Sequence, residues 1–278
     1  MLIRVGSRGS RLALTQAELA ASHLRAPGME IALVPVTTAG DRDRSRPFGE
    51  IGSRGVFVKE LEEALLEHRI DVAVHSAKDM TSSDPEGLVV GAYLAREDPR
   101  DALCGADGIG PGMRVGTASA RRKAQLLALE PTLSIEPLRG NVDTRLRKRR
   151  ERGLDAVVLA ACGLDRLGLG GEIGHRFASE ELLPEAGQGA LALQVRSGEE
   201  HIVVAADHFE TRRCVEAERA VIAAVGGGCL APVAAHHDGI VLTALVAAED
   251  GSWLERRCGD EPVALGRALA GLAADHGS

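Results

Sequence analysis

Aromatic side chains are nearly missing from this chain of 278 residues, which holds one Trp, one Tyr and four Phe. Val, Leu, Ile and Ala must therefore fill the interior, and recognition of nucleobases by stacking loses its main tool. Lysine is scarce as well: Lys59, Lys78, Lys123 and Lys148 are the only four among 33 cationic residues. Arginine makes forked, permanently charged contacts to carboxylates and phosphates that a lysine point charge cannot copy. A lysine kept at position 78 stands out against that bias. The five cysteines, Cys104, Cys162, Cys214, Cys229 and Cys258, are scattered, odd in number and free of any CxxC pair. That pattern argues against a zinc site and against a disulfide framework. No apolar run approaches the roughly 18 residues of a membrane span, and the start Met1-Leu2-Ile3-Arg4-Val5-Gly6 lacks a long apolar core. A soluble, cytoplasmic protein is expected. An excess of positive charge is missing too: the net charge is −7, so no overall field holds nucleic acid and any anion site must be local.

Short β-branched runs alternate with amphipathic segments, the pattern of an α/β fold with parallel sheets. Strands are expected at Leu2–Val5, Ile31–Val36, Asp71–Val74, Leu88–Ala92, Met113–Gly116, Leu133–Pro137, Ala156–Ala160 and Leu191–Val195. Helices fall between them. From Phe57 to His68, the spacing places Phe57, Leu61, Ala64 and Leu65 on one face and Glu60, Glu63 and Glu67 largely away from it. Composition shifts at residues 96–101 and 183–189 mark crossings between domains. After Thr211 the pattern becomes a helix to Val225, a glycine run, strands near Val233–His236 and Ile240–Ala247, and a helix from Pro262. No repeat and no low-complexity tail interrupts this order.

Five stretches carry chemistry. The apolar run Val72-Ala73-Val74 leads into His75, Ser76, Lys78 and Asp79, and polar groups emerge at the carboxyl ends of buried strands, where α/β folds bind ligands. Asp79 is either a general acid/base held by its neighbouring charge or a helix N-cap. Gly6-Ser7-Arg8-Gly9-Ser10-Arg11 leaves a strand and enters a helix, the geometry of an anion cradle, and Gly116-Thr117-Ala118-Ser119-Ala120-Arg121-Arg122 repeats it. Arg139 to Arg145 forms a third strand exit; the basic run from Arg145 to Arg152 reads as a solvated helix face, which makes Arg139 and Arg145 better candidates than Arg147, Arg149 or Arg150. Gly226-Gly227-Gly228-Cys229 puts a thiol on a flexible loop that a large group can approach, whereas the other four cysteines read as packing or surface residues.

In this order the blocks resemble the porphobilinogen deaminase (hydroxymethylbilane synthase) family of tetrapyrrole (haem) biosynthesis. The likeness runs through Gly6 to Leu14, Thr38-Ala39-Gly40-Asp41, Phe57 to Glu62, His75 to Asp79, Arg96 to Ala102, Arg121-Arg122, Arg139 to Leu146, Leu164 to Gly168, Leu183 to Ala190 and Gly227 to Pro232. The resemblance implies an α/β fold of two periplasmic-binding-protein-like domains with mixed, mostly parallel sheets, plus a small α+β C-terminal domain. The implied domains are 1–95 with 186–207, 96–185, and 208–278. It also implies a dipyrromethane cofactor joined by a thioether to Cys229. Four porphobilinogens then add, each losing ammonia to give an azafulvene that couples to the terminal pyrrole, before water releases hydroxymethylbilane. Asp79 matches the catalytic carboxylate. Arg8, Ser10, Lys78, Arg121, Arg122, Arg139, Arg145 and Arg166 match positions that bind the acetate and propionate groups, with Ser76, Thr117 and Ser119 as supporting contacts, Gln16 assisting Arg8 and His75 structural. Ala118, Ala120, Arg54 and Leu230 depart from the usual pattern without removing a catalytic group. The implied enzyme is a monomer without metal, nucleic acid or membrane partner. Two other classes fit parts of the pattern: an anion receptor, which leaves Cys229 unexplained, and a cysteine hydrolase pairing Cys229 with His75 or His236.

Overall fold

The computed structural model describes residues 1–25, 28–36, 58–81, 84–226 and 232–276. The chain divides into two compact units, Met1–Arg96 with Ala190–Arg213, and Glu97–Gly189 with Cys214–Ser278.

In the first unit, strands β1 (Leu2–Arg8), β2 (Glu30–Val36), β3 (Val72–Ser76), β4 (Leu88–Tyr93) and β10 (Leu191–Arg196), numbered in chain order, form one sheet in the order β2-β1-β3-β10-β4. Strand alternation divides its side chains between two cores. Ile3, Val5, Val72, Val74, Leu191 and Leu193 pack with Ala17, Ala20 and Leu24 of helix α1 (Arg11–Leu24). On the other face, Ala73, Val36 and Leu88 meet Leu61, Ala64 and Leu65 of helix α2 (Lys59–Leu66). The expected face of α2 is the buried one; Phe57 lies outside the described residues. Each fully buried Val, Leu or Ile contributes about 1.5–3 kcal/mol relative to exposure.

The second unit holds β5 (Asp101–Cys104), β6 (Arg114–Gly116), β7 (Ser134–Glu136), β8 (Ala156–Ala160) and β9 (Ile173–Arg176) in the order β7-β6-β8-β5-β9. Helix α3 (Ala120–Leu129) places Leu126 in one core with Leu103, Val115 and Val158. Helices α4 (Val142–Arg152) and α5 (Ala161–Arg166) bring Leu146 and Leu164 to the other, with Ala102, Cys104 and Val157. A separate antiparallel sheet of β11 (Val233–His237), β12 (Leu242–Ala247) and β13 (Leu254–Cys258) packs on α6 (Phe209–Val225) and α7 (Pro262–His276) through Val221, Val225, Ala244, Val246 and Leu269. Its other face meets α3 at Ala124, with Leu183, Ala234 and Leu245.

The mixed α/β architecture matches the sequence reading. In each five-stranded sheet four strands run in one direction and one against them, β10 in the first and β5 in the second, which makes two pairings antiparallel in each. A strand's apolar run does not encode its direction. Strands β5, β9 and β13 fall outside the sequence expectation. Strand β5 begins on a buried Asp101, and β13 is a charged edge strand carrying Glu255, Arg256 and Arg257, a composition that suppresses the apolar signal. Strand β3 also runs further than its apolar run: Leu191 pairs Ser76 and Ala192 pairs His75, so both residues belong to the ladder. Asp71 stays outside it, its carboxylate accepting hydrogen bonds from the Arg4 backbone N–H and guanidinium.

Candidate active site

Strands β1 and β3 are parallel, with Val5 opposite Val72 and Gly6 opposite Ala73, so their carboxyl ends open on the same edge. Gly6 permits this approach, since a Cβ there would collide with the Ile70 side chain. At that edge one pocket is lined by Arg8, Ser10, Gln16, His75, Ser76 and Asp79, with Leu12, Ala13, Val58, Leu61 and Val74 as its apolar wall. Ser10 caps α1, its Oγ accepting from the Ala13 N–H at 3.3 Å, which fixes the turn that carries Arg8. Buried Gln16 donates its Nε2 to Ser76 Oγ at 3.2 Å. Asp79 is exposed and ends a short 3-10 turn, Ala77–Asp79, so it is not an N-cap; Ser76 holds that position. Lys78 precedes it, half-buried, and is not among the lining residues. A carboxylate, a guanidinium and two hydroxyls line the same small cleft. Such a pocket accepts N–H groups and carboxylates together.

In the second unit the turn after β6 repeats the cap: Ser119 Oγ accepts from the Arg122 N–H at 3.3 Å, and Thr117 Oγ1 from the Ser119 N–H at 3.2 Å. The two arginines that follow point inward. Arg121 Nη1 donates to Asp101 Oδ2 at 2.7 Å and to the Leu183 carbonyl at 2.7 Å. Arg122 donates Nε and Nη2 to Asp101 Oδ1 at 3.0 and 2.7 Å and Nη1 to the Val158 carbonyl. All three side chains are buried. Burial alone would raise the Asp101 carboxyl, but the charges and hydrogen bonds of Arg121 and Arg122 outweigh it and hold the group well below the usual carboxylate range. Gln188 completes the cluster, donating to Asp101 Oδ1 and the Pro99 carbonyl. Arg121 keeps two buried nitrogens, Nε and Nη2, without a partner among the described residues. Arg166 bonds both carboxylate oxygens of Glu97 and the Gly189 carbonyl. Arg139 and Arg145 flank the start of α4, Arg145 Nε donating to the Gly140 carbonyl at 2.6 Å.

Residues 3–204 match the family profile described as porphobilinogen deaminase, dipyromethane cofactor binding domain, and residues 212–273 match porphobilinogen deaminase, C-terminal domain. The porphobilinogen deaminase of Rubrobacter xylanophilus is 45% identical over 99% of this chain and 94% of its own length. That of Syntrophotalea carbinolica is 43% identical over 96% and 89%. This chain belongs to the porphobilinogen deaminase family. A periplasmic solute-binding protein from Desulfovibrio salexigens aligns with 77% of the chain and 74% of its own, at 8% identity and a TM-score of 0.44.

The structure gathers Arg8, Ser10, Ser76 and Asp79 at one pocket and Thr117, Ser119, Arg121 and Arg122 at one helix start. Cys229 and Arg54 lie outside the described residues. Arg122 and Arg166 have internal partners, and Gln16 bonds Ser76. Sequence reasoning passes over Asp101, Gln188, Gln194 and Glu62. Asp101 sits in a charged run, Arg96-Glu97-Asp98-Pro99-Arg100-Asp101, that reads as surface; the only local signal is Ala102-Leu103-Cys104 following it.

Proposed function

We propose that this chain joins four porphobilinogens into hydroxymethylbilane with release of ammonia, and that Asp79 is its catalytic carboxylate. The observation that carries this reading is the pocket lined by Asp79 together with Arg8, Ser10 and Ser76 at the adjoining ends of β1 and β3. As each ammonia leaves, positive charge develops on the pyrrole, and an exposed carboxylate held on a short turn stabilises it. The same carboxylate accepts the ring proton lost after coupling. Acetate and propionate groups are met by Arg8, Ser10, Lys78 and Ser76 in the first unit, and by Thr117, Ser119, Arg121, Arg139 and Arg145 in the second. Arg122 and Arg166, bonded within the protein, add charge and fix the frame around them.

The residues present fit a dipyrromethane. Its carboxylates are acceptors, and Arg121 holds two buried donors without one. When bound, the group supplies the free pyrrole α-carbon that begins the chain. Cys229 is the proposed thioether anchor. Cys104, Cys162 and Cys214 are buried, and burial, with the nearby Glu172 charge, pushes the Cys104 thiol up to about 11, which leaves little thiolate to react. Cys258 is exposed and serves as the control. Intact-mass spectrometry tests the anchor: an added dipyrromethane mass in the purified chain and in Cys258→Ser, and its loss in Cys229→Ser, are expected. An unmodified chain with full activity, or a mass kept in Cys229→Ser, overturns it. Asp79→Asn is expected to stay folded and lose at least about a hundredfold in turnover; an unchanged rate removes Asp79 from catalysis. The acidic net charge supports a small-molecule partner over nucleic acid. The proposal extends to a cytoplasmic monomer without a membrane partner, and sedimentation of the purified chain tests its oligomeric state.

A further inference from the structure

Residues 183–189 lie outside any strand or helix, yet Leu183, Ala186 and Gln188 are buried. The backbone of such a segment needs partners from elsewhere, because no ladder or helix supplies them. At Leu183 the partner is one side chain of α3. Gln125, 1% exposed, accepts the Leu183 N–H on Oε1 at 2.7 Å and donates Nε2 to the Leu183 carbonyl at 3.1 Å. These are the two hydrogen bonds that a paired strand residue would make. They also fix the orientation of the amide, since an N–H only donates and a carbonyl only accepts. An apolar side chain at position 125 would avoid the cost of burying an amide, but it would take away the acceptor of the buried Leu183 N–H. The held segment carries three groups that act on the Asp101 cluster. The Leu183 carbonyl accepts from Arg121 Nη1 at 2.7 Å, Gln188 donates to Asp101 Oδ1 at 2.9 Å, and the Glu185 charge acts on Arg121. Gln125 stands four residues after Arg121, on the same face of α3, so the two side chains grip one carbonyl.

We propose that Gln125 is a positioning residue for Arg121: by holding the Leu183 backbone at both its N–H and its carbonyl, it sets where the Arg121 guanidinium lies and so how porphobilinogen carboxylates are bound. The inference rests on the reading of Arg121 as a carboxylate-binding residue. The acetate and propionate groups take no part in bond making, so their contacts are alike in the ground state and the transition state. A displaced guanidinium therefore raises KM and leaves kcat.

Gln125→Met keeps the length of the side chain and loses both hydrogen bonds. In the cofactor-loaded protein, KM for porphobilinogen should rise about tenfold, the weight of one hydrogen bond to a charged group, with kcat changed by less than about twofold. The Leu183 amide should exchange with deuterium about tenfold faster. Gln125→Asn, whose amide is one carbon too short to reach both backbone groups, should show the same split in a milder form, and it decides the matter if the methionine variant does not fold. Leu269→Ala is the control for stability alone: it opens a cavity in the core of the separate antiparallel sheet and should lower the thermal midpoint with KM unchanged. An unchanged KM in the folded Gln125 variant overturns the proposal. So does an equal rise of KM in Leu269→Ala, or a Leu183 amide as slow to exchange as in the wild type. Arg121→Lys should raise KM or prevent cofactor loading; full loading with unchanged KM there sinks the carboxylate reading, while exchange at Leu183 decides whether Gln125 holds the segment.

Discussion

Replacing Asp101 by Asn should destabilise the second unit more than any surface change. The carboxylate is fully buried, and its two oxygens accept from Arg121 Nη1, Arg122 Nε and Nη2, and Gln188 Nε2 at 2.7–3.0 Å. An amide of the same shape keeps part of this hydrogen bonding and none of the charge, leaving Arg122 without its carboxylate and Arg121 with only the Glu185 charge. Breaking a buried pair from one side costs about 3–5 kcal/mol. At about 2–4 °C per kcal/mol for a chain of this size, the midpoint should fall by about 6–20 °C. The chain has one tryptophan, Trp253, and it lies in the second unit, so its fluorescence during heating reports that unit. Lys123→Ala is the internal control, because its partner Glu249 is 63% exposed and such pairs contribute about 0–1 kcal/mol. A midpoint shift in Asp101→Asn no larger than that of Lys123→Ala would refute the reasoning. The triple replacement of Asp101, Arg121 and Arg122 by apolar residues should recover much of the lost stability while losing activity.

Acid should destabilise the fold through carboxylates held low. Burial would raise Asp71 and Asp98, yet hydrogen bonds from Arg4 and Arg196 and from Arg100 and Arg176 bring both down to about 2. Unfolded, each would titrate near 3.8, so their contribution is complete above that pH and lost as pH falls toward 2. Thermal midpoints measured from about pH 6 to pH 2 should fall, and Asp71→Asn should flatten that limb; an unchanged slope contradicts the assignment. Gly153 ends α4 in the left-handed region at φ 62°, and the nearest atom to the place a methyl would occupy, Arg114 Nη1, is 4.0 Å away. Gly153→Ala should therefore show the backbone cost alone, about 1 kcal/mol, read as a shift of the urea midpoint at constant slope.

What the sequence made legible was local. Gly6, Ser10 and Arg8 announce a strand-to-helix cradle within five positions, and Ser10 and Ser119 both cap the helices expected of them. Asp79 follows an apolar strand, and the structure puts it at the pocket. The partners across the sheet were not legible. His75 and Gln194 are 119 positions apart, and nothing near either residue tells that one faces the other. The end of β3 was misplaced for the same reason: only the pairing with β10 shows that His75 and Ser76 remain in the ladder.

The arginine bias also acquires a physical sense. Arg121 and Arg122 share the Asp101 carboxylate, and the Glu185 charge acts on Arg121 as well. Arg122 has all three nitrogens bonded, and Lys at that position could not reach Asp101 and the Val158 carbonyl with the same planar fork. Arg121 has Nη1 bonded and two nitrogens left. Arg121 therefore holds the strand, the helix and the Leu183 turn together. A lysine, with a single ammonium, cannot divide its contacts in that way.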